Sequence, residues 1–78
     1  MQTGYLVVET YPAGAKVYID DILVLDEKGK PILSPVVLVL LAGYHNMRLE
    51  LEGYCNEFDG RYIMENETVN THHNFNIC

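Results

Sequence analysis

The sequence predicts an all-β protein, a small six- to seven-stranded antiparallel sandwich. Three observations predict it. Apolar and polar residues alternate with period two along most of the chain, which gives each extended segment one apolar and one polar face. Val, Ile, Tyr and Thr, residues that suit a pleated surface, fill these segments. Turn residues interrupt them at the short intervals of a sandwich or small barrel, and no segment carries a helical stripe.

The first strand spans Tyr5 to Tyr11, with Leu6, Val8 and Thr10 on one face and Val7, Glu9 and Tyr11 on the other. Pro12-Ala13-Gly14 separates it from the second, in which Ala15, Val17 and Ile19 alternate with Lys16, Tyr18 and Asp20. Ile22 to Leu25 and Pro31 to Leu33 flank the polar turn Asp26 to Lys30 and read as an extended hairpin. Ser34-Pro35 then breaks the hydrogen bonding ahead of Val36 to Leu41, a run that is apolar on both faces. A sandwich strand normally keeps one face wet. The second face is expected to be covered by the segment 20–33, with an interface as the alternative. Ala42-Gly43 turns into a strand where Met47, Leu49 and Leu51 alternate with Arg48, Glu50 and Glu52. Gly53-Tyr54 ends that strand, and Asp59-Gly60 reads as a further turn. Glu65-Asn66-Glu67 precedes the last strand, whose apolar face holds Val69, Thr71, His73, Phe75 and Ile77.

With 78 residues the chain, 1–78, reads as a single domain, and its 49% hydrophobic content is ample for one core. Eleven acidic against five basic residues give a net charge of −6, and the cations are scattered. Nucleic acid requires a basic face that releases counterions, so no nucleic-acid partner is expected. The longest apolar run, Val36 to Ala42, is far below the ~20 residues of a membrane span, and no direct membrane insertion is expected. No signal peptide is visible at Met1 to Tyr5. The chain reads either as a complete cytoplasmic protein or as a domain cut from a longer one, in which case the cell envelope or the extracellular space is its place. Cys55 and Cys78 fit no zinc or redox spacing. The expected state is two free thiols, one near a turn and one at the chain end. The alternative is a disulfide closing a loop of roughly 20 residues.

The turns, taken in order, resemble the PEGA domain. The stretch Gly4 to Asp20 carries Pro12-Ala13-Gly14-Ala15 and Val17-Tyr18-Ile19-Asp20; Ser34-Pro35, Gly43-Tyr44-His45 and Gly53-Tyr54 follow. The similarity is good over residues 4–54 and loose beyond. It implies a small β-sandwich module, similar to transthyretin-like and collagen-adhesin B-type domains, often attached to surface or membrane-anchored proteins. Pro12, Gly14, Ala15, Asp20, Ser34, Pro35, Gly43, His45, Gly53 and Tyr54 are then structural motif positions. Three departures stand out. Ala13 replaces the family Glu. Asp21 stands where Gly is common, so the usual tight turn is expected to be absent. The segment Asp21 to Leu33 is longer than the usual connection.

Little in the chain suggests chemistry. Adjacent strand residues project to opposite faces, so His72 and His73 cannot share one ion from a regular strand. His73 is expected to be a half-buried core residue and His45 to lie on the face of Met47 and Leu49. Asp20-Asp21 and Asp26-Glu27 lack calcium-loop spacing and read as solvated turn charges. Asn66-Glu67-Thr68 matches a glycosylation triplet. No nucleophile elbow or phosphate loop appears, and no catalytic residue, metal site or cofactor is expected. Tyr5, Tyr11 and Tyr18 are expected on solvent faces of neighbouring strands, as cross-strand pairs or as an interface patch. The expected role is that of a non-catalytic interaction module. It would dock a protein or a cell-surface glycan through the tyrosine-bearing face or an edge strand. The alternative is a self-assembling structural subunit, a homo-oligomer built through Val36 to Leu41 and forming part of a surface or viral particle.

Overall fold

The computed structural model describes residues 2–78, and among these there are seven strands and no helix. They are β1 (Thr3–Tyr11), β2 (Lys16–Ile19), β3 (Ile22–Leu23), β4 (Val36–Leu41), β5 (Gly43–Glu50), β6 (Glu57–Ile63) and β7 (Thr68–Asn74). They form a three-stranded sheet in the order β4-β1-β7 and a four-stranded sheet in the order β3-β2-β5-β6. All pairings are antiparallel except that of the first and last strands, which is parallel.

The alternation explains the packing. Leu6 and Val8 of β1 and Leu38 of β4 face Val17 and Ile19 of β2 and Met47 and Leu49 of β5. Ala15, Ile63 and Phe75 complete the buried cluster. Burial of this hydrocarbon is the main force holding the two layers together.

The connections carry the chain between layers. Pro12-Ala13-Gly14 takes it from the first sheet to the second, and the Tyr11–Pro12 and Ser34–Pro35 bonds are both cis. Between β4 and β5 the change of sheet is made at Ala42-Gly43, where Gly43 has φ 132°, a value closed to most side chains. The segment 22–33 does form an extended hairpin. Leu25 bridges Pro31, and Asp26 accepts the backbone N–H groups of Lys28 and Lys30 at 2.8 and 3.0 Å.

Several expectations need correction. Asp59-Gly60 is not a turn but the middle of β6. The tight turn after Ile19 is present: Asp20 and Asp21 take φ 51° and 68°, and Ile19 pairs with Ile22 across a two-residue loop. Asp tolerates this left-handed region better than most residues, so it replaces Gly here. Cys55 and Cys78 are not free thiols. They form a disulfide with Cα atoms 4.9 Å apart. The backbone delivers them to one another: Tyr54 bridges Ile77, and the Cys55 N–H donates to the Asn76 carbonyl at 2.8 Å. Ile77 itself is exposed rather than in the core, because β7 ends at Asn74.

Candidate functional site

Most of the motif residues gather in two places where the chain passes between sheets. At the first, Ala15 and Ser34 are buried. The Ala15 N–H donates to Ser34 Oγ at 3.0 Å, Ser34 Oγ lies 2.6 Å from Thr10 Oγ1, and Thr10 Oγ1 donates to the Pro12 carbonyl at 2.7 Å. The hydroxyl protons therefore run in one direction, from Ser34 to Thr10 to Pro12, and every group in the chain is satisfied. Gly14 donates to the Ser34 carbonyl from the same corner. This buried polar chain ties β1 to the segment entering β4 and was not legible in the spacing of Thr10 and Ser34.

At the second crossing stands His45, half-buried on the inward side of β5. Its Nδ1 lies 2.6 Å from Asp20 Oδ2 and its Nε2 2.7 Å from the Leu41 carbonyl. Both partners are acceptors, so only the imidazolium, with two N–H groups, can donate to both. Burial opposes that charge. The bonds to Leu41 and Asp20 outweigh it and raise the His45 pKa above the usual histidine value. Asp20 also accepts the Asn46 N–H at 3.0 Å. This bond, then His45, holds its carboxyl below the usual range.

Gly53 has φ 87° and turns the chain so that Tyr54 packs on Phe75, ring centroids 5.9 Å apart. An open groove of about 540 Å3 lies beside it, between Gly14, Lys16, Leu33, Glu50 and Asn56, with no histidine in its wall.

The three tyrosines do not assemble into one patch. Tyr5 and Tyr11 lie on the outer face of the first sheet, six residues apart, or roughly 20 Å along the strand. Tyr18 belongs to the other sheet, where the Arg48 guanidinium stands 4.1 Å over its ring. The histidines also separate: His72 meets Asn74 at 3.1 Å, while His73 crosses to Asp59 of β6 at 3.0 Å. Among the described residues no three His, Cys, Asp or Glu side chains are placed to hold a metal. Three of the four turn carboxylates are engaged rather than merely solvated, Asp20 by His45, Asp21 by Arg48 and Asp26 by its own turn, while Glu27 is exposed as expected.

What the first sheet does present is an uncovered apolar strand. The segment 20–33 was expected over β4, but its strand, β3, pairs with β2 in the opposite sheet. Val37, Val39 and Leu41 are left 59, 62 and 52% exposed, and Tyr5, opposite Val39, is 43% exposed. β4 is also an edge. The Ala42 N–H donates to the Gln2 carbonyl, which fixes the alternation of the β1–β4 ladder. Val36, Leu38 and Leu40 face β1, and the N–H and C=O groups of Val37, Val39 and Leu41 face outward. The Leu41 carbonyl is taken by His45. A second exposed set, Tyr44, Phe58 and Tyr62 on the outer face of β5 and β6, was missed because 57–63 was not read as a strand. Period-two spacing of Phe58 and Tyr62 about Gly60 was the available signal.

Two sheets packed face to face, with polar groups spent on turns and crossings, define a small β-sandwich module. The chain matches the family model of the PEGA domain over residues 3–77 and matches no curated protein. It belongs to the PEGA domain family.

Proposed function

We propose that this chain is a non-catalytic interaction module that docks a protein partner through the open edge and outer face of its first sheet. The observation that carries this reading is β4: six apolar residues at a sheet edge, with three side chains and most outward backbone groups unpartnered. Such an edge is a template for strand addition, in which main-chain bonds give affinity and alternate side chains give selectivity. Tyr5, beside Val39, supplies a rigid aromatic at the same place. The polar side chains at the crossings between sheets have structural partners already: Thr10 and Ser34 bond to one another, and His45 bonds to Asp20 and Leu41.

Photo-crosslinking in the cells that make the protein tests the reading. A photoreactive residue in place of Val39 is expected to yield protein adducts that the same residue in place of exposed Ile22 does not. No adduct from position 39, or equal yields from both positions, overturns it.

A further inference from the structure

We infer that the partner on β4 is a second copy of this chain, paired antiparallel across a two-fold axis at Leu38. The inference rests on the docking role proposed above. Two features single out a copy: charge and hydrogen-bond register.

The protein carries a net charge of −6, so two copies repel wherever acidic surfaces meet. Between Lys30 and His45 the chain has no charged residue, and β4 lies within that stretch. The other edges differ. β6 places Glu57, Asp59 and Arg61 toward its neighbours, β3 is two residues long, and β7 exposes polar Thr68, Asn70, His72 and Asn74 where β4 exposes Val37, Val39 and Leu41. Charges and short length are the usual protections of an edge, and β4 has neither a charge nor a proline within it.

The register is self-complementary. With Leu38 on the axis, Val37 faces Val39 of the second copy, and Val39 faces its Val37. Those residues bear the outward N–H and C=O groups, so four hydrogen bonds form, two in each pair. Leu41 then stands opposite Pro35 of the second copy. There the bond from a position-35 N–H to the Leu41 carbonyl cannot form, because Pro35 has no N–H. It is not missed, because that carbonyl is already held by His45 at 2.7 Å. The two groups unable to pair thus fall opposite one another. Val37, Val39, Leu41 and Tyr5 of both copies would form one apolar face on a six-stranded sheet.

Sedimentation equilibrium from micromolar to millimolar concentration, with amide exchange read residue by residue, tests the pairing. A dimer is expected, with the Val37 and Val39 amides exchanging freely in dilute protein and protected in the dimer. Val39→Pro removes two of the four hydrogen bonds without touching the β1–β4 ladder, and Val39→Lys adds charge to an exposed position. Each is expected to weaken association at least about tenfold, with unfolding curves confirming that the monomer stays folded. A dimer in which these amides stay unprotected, or one unaffected by Val39→Pro, overturns the inference. So does a monomer at millimolar concentration. If that monomer still crosslinks another protein from position 39, self-pairing falls while the docking role stands. If it yields no adduct, both fall.

Discussion

The carboxylate of Asp20 lies 2.6 Å from Nδ1 of His45, which joins the β2–β3 turn to the strand that has just left the other sheet. The same imidazole reaches back to Leu41, so one side chain ties three segments together.

This arrangement makes stability depend on pH at both ends. The folded His45 pKa is raised, so its contribution is complete below the ordinary value near 6.5 and fades as pH rises through the higher folded value. The folded Asp20 pKa is lowered, so its contribution is present above the ordinary value near 3.8 and fades as pH falls through the lower folded value. Denaturant unfolding of the wild type and His45→Ala should therefore show a larger gap at pH 5.5 than at pH 9. An NMR titration of the His45 ring should give a midpoint above that of a model histidine; a midpoint below it would refute the two-donor geometry.

Ser34→Ala removes the acceptor of the buried Ala15 N–H and the donor to Thr10. An orphaned buried donor costs about 2 kcal/mol, a large share of the ~5 kcal/mol margin of so small a domain. Urea denaturation should show a loss of this size with little change in m-value. Thr10→Ser, which keeps the hydroxyl, should cost less.

Two glycines in strands should respond differently to Ala. At Gly4 a methyl group would meet the backbone carbonyl of Met64 and the Ile63 side chain, neither of which can swing aside. At Gly60 it would meet the far end of the exposed Tyr44 ring, which can. Gly4→Ala should cost about 2 kcal/mol or more. Gly60→Ala should stay within about 1 kcal/mol of the wild type while shifting the Tyr44 ring resonances.

The Cys55–Cys78 bridge closes a loop across a sequence separation of 23. The chain-entropy relation gives about 3 kcal/mol for a loop of that size. Replacing both cysteines by Ser, or reducing the protein, should lower the melting temperature markedly. Exchange should accelerate first in Phe75 to Cys78, whose place beside Tyr54 and Cys55 the bridge secures.

Period two revealed the faces of β1, β2, β5 and β7, because in each of them an apolar side meets the core. It failed for β6, where the pattern is inverted. Phe58 and Tyr62 point to solvent, while Asp59 and Arg61 point inward and pair at 3.0 Å. Inward charges and Asp59-Gly60 both mimic a turn. Periodicity also assigns a face without naming a neighbour. It therefore put Tyr18 beside Tyr5, and it laid the segment after Asp20 over β4. The edge position of β4, on which the candidate site depends, is a property of strand order. It emerges only once the first and last strands are seen to pair.

That parallel pairing of β1 with β7 also governs the response to pulling. Tension applied at the start of β1 and the end of β7 draws the two neighbouring strands in opposite directions along a common axis. Their register of seven facing positions, Tyr5 with Thr68 through Tyr11 with Asn74, is then loaded in shear, so the bonds yield together rather than one after another. Through the bridge to Cys55, a load on Cys78 is shared with the segment that joins two strands of the second sheet.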